Sequence, residues 1–272
     1  MSGPVQRYRA VFLSDLHLGS AGCRVEEIQD FLSTFECDQL YLVGDIIDGW
    51  VGRSSGRWGS ASTDLVRALL DKTNRDGCRV YYTPGNHDAF MRRLNGAELG
   101  NMVIDHSFVH TTAEGKDLLV VHGDLFDRSC TKFMPVAWLG AWLYEIVTIL
   151  NAHVNRTRAR RERRPIHFAS FLKLATKRIV KRGSSFENQL VEHAAENGCV
   201  GVVCGHVHRP ELREREDGRL YVNTGDWVEH CTAVVETMDG KLKLIEWTPA
   251  ESLVYSLPSV QEGRRSPALL RP

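Results

Sequence analysis

Tyr41-Leu42-Val43-Gly44-Asp45-Ile46-Ile47-Asp48 is the stretch from which the fold can be read. A short apolar run with a β-branched residue is followed by a glycine and then by a carboxylate. That order describes a buried strand handing a side chain over from its carboxyl end. It recurs along the chain. Val11-Phe12-Leu13 precedes Asp15-Leu16-His17, and Val80-Tyr81-Tyr82 precedes Gly85-Asn86-His87-Asp88. Leu119-Val120-Val121 precedes His122-Gly123-Asp124, and Val200-Gly201-Val202-Val203 precedes Gly205-His206-Val207-His208. In open α/β sheets ligands bind at the carboxyl ends of the strands, so these strand ends point to one shared site.

Working outward, residues 8–13, 39–43 and 79–82 read as strands. They alternate with helices over 24–35, with Val25, Ile28, Phe31, Leu32 and Phe35 on one face, and over about 63–75. Consecutive βαβ units imply a parallel sheet. Beyond residue 100 the pattern becomes antiparallel: 105–112 and 116–121 predict a hairpin, and 212–216, 219–223, 232–236 and 241–247 are further strands. Asp217-Gly218 and Asp239-Gly240 are turn signals within this set. A mixed, two-sheet sandwich with outer helices fits this order. Residues 1–130 and 183–248 form its core, and 249–272, rich in Pro, Ser, Gly and Arg without periodicity, reads as a flexible tail.

Residues 131–182 are not needed by such a sandwich. They open on an apolar, aromatic stretch, Phe133 to Val147, and continue into Arg156, Arg158, Arg160, Arg161, Arg163 and Arg164. A second helix-like stretch, Ile166 to Val180, carries Lys173, Lys177 and Arg178. The overall balance of 34 Lys+Arg against 34 Asp+Glu therefore hides a basic insertion offset by a mildly acidic core. No run approaches the ~18 apolar residues of a membrane span. The N-terminal stretch lacks an apolar signal core, and the 7 cysteines form no CxxC. A reducing, cytoplasmic setting is the expectation.

Carboxylates, neutral imidazoles and an amide oxygen are a mixed oxygen and nitrogen donor set without thiolates. That set suits Mn, Fe or Zn, with manganese the first choice. Two divalent ions about 3.5–4 Å apart clamp the oxygens of an in-line displacement at phosphorus. The ordered string DxH, GDxxD, GNHD, HGD, GHxH, running from Asp15 to His208, resembles the calcineurin-like metallophosphoesterase superfamily. The resemblance implies a four-layer αββα sandwich, here with a helical insertion as lid, and two divalent metal ions. It implies that Asp15, His17 and His208 hold one ion, that Asn86, His122 and His206 hold the other, and that Asp45 bridges them. His87 would serve the leaving oxygen, with Asp48 and Asp88 orienting imidazoles. For Asp48 and Asp88 a plain capping or turn role is the rival reading. His106, His110, His153, His167, His193 and His230 read as surface or structural; for His230 and Asn223, near late strand ends, bordering the pocket is the alternative reading.

Within that superfamily, the opening SDLHLG, the run YLVGDIIDGW and the long insertion resemble the UDP-2,3-diacylglucosamine pyrophosphohydrolases of lipid A synthesis. That branch usually carries Arg where this chain has His87. The resemblance implies a lipid-linked phosphate substrate, with the insertion receiving acyl chains. An apolar-aromatic helix beside an arginine-rich one also suits an anionic membrane surface, placing the protein peripherally on the inner face. Arg53 and Arg57 would contact a diphosphate together with Asn86; Trp50 or Trp58 would stack on a base or sugar, with plain packing under the long loop as the equal rival reading. The alternative is a soluble phosphodiesterase or phosphatase acting on nucleotides, cyclic nucleotides or phosphoproteins. A non-enzymatic scaffold is disfavoured by the complete ligand set. Nucleic acid is not the expected partner, because no base-stacking module accompanies the arginines.

Overall fold

A computed structural model describes residues 5–49, 58–74, 77–127, 186–248 and 253–256. The chain divides into two compact units, Met1–Asp124 with Val191–Pro272, and Leu125–Leu190. The expected insertion at 131–182 lies outside the described residues.

The elements follow the hydrophobic pattern. Strand β1 is Gln6–Leu13, helix α1 Val25–Ser33, β2 Phe35–Val43, α2 Ser60–Asn74 and β3 Arg79–Thr83. A 3-10 turn at Ala89–Leu94 leads into the short β4 (Ala97–Leu99) and β5 (Met102–Ile104). The expected hairpin is β6 (Phe108–Thr111) and β7 (Asp117–Val120), paired antiparallel. A helix, α3, covers 186–196. Then come β8 (Gly201–Cys204), β9 (Glu211–Glu214), β10 (Leu220–Asn223), β11 (Thr232–Thr237), β12 (Leu242–Glu246) and β13 (Leu253–Ser256).

These strands form an eight-stranded sheet, β13-β12-β11-β1-β2-β3-β5-β4, and a five-stranded sheet, β6-β7-β8-β10-β9. Both are mixed. β1, β2, β3 and β5 run parallel in the first, and β7, β8 and β10 in the second. Alternation along each strand builds two cores. Ala10, Phe12, Tyr41, Val43 and Val234 face Leu118, Val120, Val203 and Val222 between the sheets. Val11, Leu13, Leu40, Leu42 and Val80 face the other way, against Ile28, Phe31 and Leu32 of α1 and Leu65 and Leu69 of α2. Each such side chain contributes about 1.5–3 kcal/mol on burial. Phe12, Tyr41 and Tyr81 are register partners on adjacent strands, and their rings stack at 4.7 Å on either side of Tyr41.

Three differences from the sequence reading have simple causes. Phe35 is the first residue of β2, not the last of α1: the helix stops at Ser33, and Phe35 reaches the same core from the strand. The hairpin β4–β5 is too short to show a period. Leu253–Ser256, expected to be tail, instead pairs antiparallel with Leu242–Glu246 as an edge strand; its Leu-Val-Tyr run is long enough to pair but too short to stand out among its polar neighbours.

The inter-sheet core holds one buried polar network. His110 Nε2 donates to Glu236 Oε2 at 2.9 Å, the Tyr41 hydroxyl lies 3.2 Å from His110 Nδ1, and the Ala113 N–H donates to Glu236 Oε1 at 2.7 Å. Arg9 Nε approaches the same carboxylate at 3.2 Å. Burial pushes the Glu236 carboxyl up, but the His110 and Ala113 hydrogen bonds and the charge of Arg9 outweigh it, so its pKa falls below 4.5. Folding therefore weakens proton binding. The stabilisation is complete above about pH 4.5 and fades as pH drops through the lower folded value. Glu236→Ala should cost about 3 kcal/mol in urea unfolding at pH 7, and the gap from wild type should narrow below pH 4.5.

Candidate metal centre

Every site loop leaves the carboxyl end of a parallel strand: Asp15 and His17 after β1, Asp45 and Asp48 after β2, Asn86 to Asp88 after β3, His122 after β7, and His206 and His208 after β8. Backbone hydrogen bonds continue past the strands and tie the loops together. Asp15 N–H donates to Gly44 O at 3.0 Å, His17 N–H to Asp45 O at 2.9 Å and Gly49 N–H to His87 O at 3.1 Å. In the second sheet Gly205 N–H donates to His122 O at 3.1 Å. Asp15, His17, Asp45, His206 and His208 all have positive φ, between 50° and 71°; among the described non-glycine residues only Cys231 joins them. Left-handed backbone costs an L-residue about 1–2 kcal/mol. The turns are therefore held by their surroundings so that the side chains converge. Gly85 belongs to the same constraint, since a Cβ there would overlap Asp45 Oδ1.

Three groups of side chains place ligand-capable atoms within 4.8 Å of one another: Asp15, His17 and His208; Asp45, His122 and His206; and His17, Asp48 and His87. In the first, His208 Nε2 is 3.1 Å and His17 Nε2 3.8 Å from Asp15 Oδ1. In the second, His122 Nδ1 donates to Val43 O at 2.8 Å, which leaves Nε2 as the lone-pair nitrogen, 3.4 Å from Asp45 Oδ2. Asp45 Oδ1 accepts from the His87 N–H at 2.7 Å. Asp48 joins the third group to the first, with His87 Nδ1 at 3.2 Å from Oδ1 and His17 Nδ1 at 3.6 Å from Oδ2.

The residues fit a divalent cation on two counts. Asp15 Oδ1, Asn86 Oδ1 and His122 Nε2 are buried without a hydrogen-bond partner, and buried polar atoms in that state need a ligand to repay their lost solvation. The donors are also hard and borderline oxygens and nitrogens, without a thiolate. The electrostatics agree. Burial pushes the Asp15 carboxyl up, yet His208 and His122 outweigh it and hold it at about 2. Burial lowers His122 and His208, but Asp45 carries the first to about 10 and Asp15 the second to about 9. The enclosed carboxylates thus draw positive charge into the site.

Asp88 has a different role from the expected one. Its Oδ2 accepts from the Ile46 N–H at 2.8 Å and the Tyr82 hydroxyl at 2.5 Å, and its Oδ1 from the Gly85 N–H at 2.6 Å. It neither caps the turn at Ala89–Leu94 with its side chain nor orients an imidazole. It clamps the β2 and β3 loops to each other. Asn223 is likewise a brace, its amide donating to Gly205 O at 2.8 Å. His230 stands over buried Asp226, with Nδ1 2.6 Å from Oδ2. Trp58 donates its indole N–H to Thr63 Oγ1 at 3.0 Å. Trp50, Arg53 and Arg57 lie outside the described residues. The motif pattern assigned no role to Ser14 or to the Thr224-Gly225-Asp226-Trp227 run; their signal was only their place at the ends of β1 and β10.

The family model for calcineurin-like phosphoesterases matches residues 8–210. The chain belongs to that family. As a calcineurin-like phosphoesterase it is a metal-dependent hydrolase of phosphate esters. Among curated proteins it is similar to the UDP-2,3-diacylglucosamine hydrolase of Shewanella sp. strain ANA-3, 24% identical over 85% of this chain and 95% of that protein. The protein of that name from Shewanella pealeana is 25% identical over 88% of this phosphoesterase and 98% of its own length. Among solved structures it is similar to vacuolar protein sorting 29 from Cryptosporidium parvum, with 12% identity, coverage of 90% and 94%, and a TM-score of 0.46. Among the described residues no helix of this phosphoesterase is long and apolar enough to cross a membrane.

The contrast between its carboxylates is testable. Asp88→Ala strands two backbone N–H groups and a tyrosine hydroxyl in the core and should cost about 3 kcal/mol of stability by chemical unfolding. Asp48→Ala should lose activity with a smaller change in unfolding midpoint.

Proposed function

We propose that Asp15, His17 and His208 hold one divalent cation, that Asn86, His122 and His206 hold a second, and that Asp45 is shared between them. The observation that carries this reading is the convergence of Asp15, His17 and His208, and of Asp45, His122 and His206, into two groups; Asp15 Oδ1 and His122 Nε2 within them, like Asn86 Oδ1, are buried and make no hydrogen bond. When bound, such a pair of cations polarises the phosphoryl group and activates a water for in-line attack. Manganese is the ion to test first. His122 is held in one tautomer by Val43 O. Burial lowers the His87 pKa, but Asp48 and Asp45 outweigh it and favour the imidazolium, which with Nδ1 against Asp48 would give its Nε2 proton to the oxygen that departs from phosphorus. Asp48 steadies both His87 and His17.

The reaction we assign is hydrolysis of a phosphoester or pyrophosphate bond in a lipid-linked substrate, UDP-2,3-diacylglucosamine or a related phospholipid. Support comes from relatives of that name aligned over most of both chains, and from the apolar and arginine-rich sequence at 131–182. That segment would receive the acyl chains and rest on the anionic inner face of the membrane. The GNHD of the wider superfamily, with His87 where the lipid A branch usually has Arg, favours keeping a soluble nucleotide or phosphodiester substrate as the second reading.

Manganese-loaded protein should release UMP from UDP-2,3-diacylglucosamine at a much higher specific rate than it cleaves a water-soluble chromogenic diester. Cleavage of the soluble diester alone would keep the hydrolase and discard this lipid. Asp45→Asn should lower turnover more than 100-fold while circular dichroism stays that of wild type; near-normal activity in the metal-replete variant would sink the shared-carboxylate assignment.

A further inference from the structure

We infer that Ser14, backed by Thr224, is a positioning residue that confines Asp15 to a single ligating oxygen. The inference rests on the metal reading above. Asp15 is fully buried, yet its two oxygens meet different surroundings. Oδ2 accepts from the Ser14 hydroxyl and from the His206 N–H, the latter at 3.1 Å. Oδ1 has no hydrogen-bond partner and faces His208 and His17. A carboxylate can offer a metal one oxygen or two, and its occupied lone pairs decide which. Here Ser14 occupies the oxygen turned away from the imidazoles.

Ser14 is itself held in place. Its Oγ lies 2.5 Å from Thr224 Oγ1 and 3.1 Å from Gly225 O. A serine hydroxyl donates only once. When its proton goes to Asp15, its oxygen is left to accept the Thr224 proton, for which Ser14 Oγ at 2.5 Å is the nearer acceptor and Cys204 O at 3.2 Å the other; the nearer contact runs from Thr224 through Ser14 to Asp15. Thr224 is fixed at both ends of its backbone, its N–H donating to Cys204 O at 2.9 Å and its carbonyl accepting from Thr232 Oγ1 at 2.7 Å. Ser14 and Thr224 are both fully buried, so bulk water does not replace a deleted hydroxyl. Gly205 closes the pocket, since a Cβ there would stand 2.5 Å from both Asp15 Oδ2 and Ser14 Oγ. The loop after β10 thereby acts on the site without supplying a ligand.

The test is manganese titration of the metal-free full chain by calorimetry, checked by metal content after gel filtration. Wild type should bind at two sites. Ser14→Ala should weaken one of them about 10–100-fold and leave the other, on the His122 side, unchanged. Thr224→Val should weaken the same site, whereas Thr224→Ser, which keeps the hydroxyl, should restore wild-type affinity. Equal affinities in wild type and Ser14→Ala would overturn the positioning role while leaving the metal reading intact. A melting temperature lowered with both affinities unchanged would overturn it equally, by reducing Ser14 to packing. Should Ser14→Ala not fold, the Thr224→Val and Thr224→Ser pair decides: the same affinity in both overturns the proposal. Wild type that takes up no metal would overturn the metal reading itself.

Discussion

The backbone hydrogen bonds that outlast the strands are the constraint on which the rest of the site depends. Asp15, His17 and Leu18 N–H groups continue the β1–β2 ladder into Gly44, Asp45 and Ile46 carbonyls, each at 2.9–3.0 Å. Across the sandwich, Trp227 N–H reaches Asp15 O at 3.1 Å, and His122 Nδ1 reaches Val43 O. These bonds join the loops of two sheets into a closed ring. Only such a ring holds five non-glycine residues in left-handed backbone, because isolated turns would relax out of it. The strain is local, and the packing that opposes it is spread through both cores.

From that ring follows a division of labour among chemically identical groups. Four carboxylates stand close together, and each does something different because different donors reach it. Asp88 accepts from the Ile46 and Gly85 N–H groups and the Tyr82 hydroxyl, which commit it to bracing loops. Asp48 faces two imidazoles. Asp15 and Asp45 each give one oxygen to a backbone N–H, from His206 and His87, and turn the other toward imidazole nitrogens. Composition cannot distinguish these roles. The count of competing donors does.

Burial concentrates this pattern into a demand for positive charge. Enclosed carboxylates raise the His122 and His208 imidazoles although burial alone would lower them. A family of metal-dependent hydrolases uses such an environment to hold cations near a phosphate. The outer helices and the inter-sheet aromatic stack support the five strand ends that carry the site from outside it.

Much of this was written in the sequence. Apolar runs ending in Gly, Asp, Asn or His located β1, β2, β3, β7 and β8 and named the side chains at their ends, because strand burial and loop chemistry are both local. The order of those segments carried the family. Tertiary structure alone decided what is not local. It made Asp88 a clamp, since its partners Ile46 and Tyr82 come from the loop after β2 and from β3. It placed Phe35 on a strand and gave Leu253–Ser256 an edge to pair with. It brought Thr224 and Ser14, 210 positions apart in the chain, into contact behind Asp15. Neither hydroxyl belongs to the ligand set that the motifs name, and nothing in the spacing of the motifs anticipates their meeting.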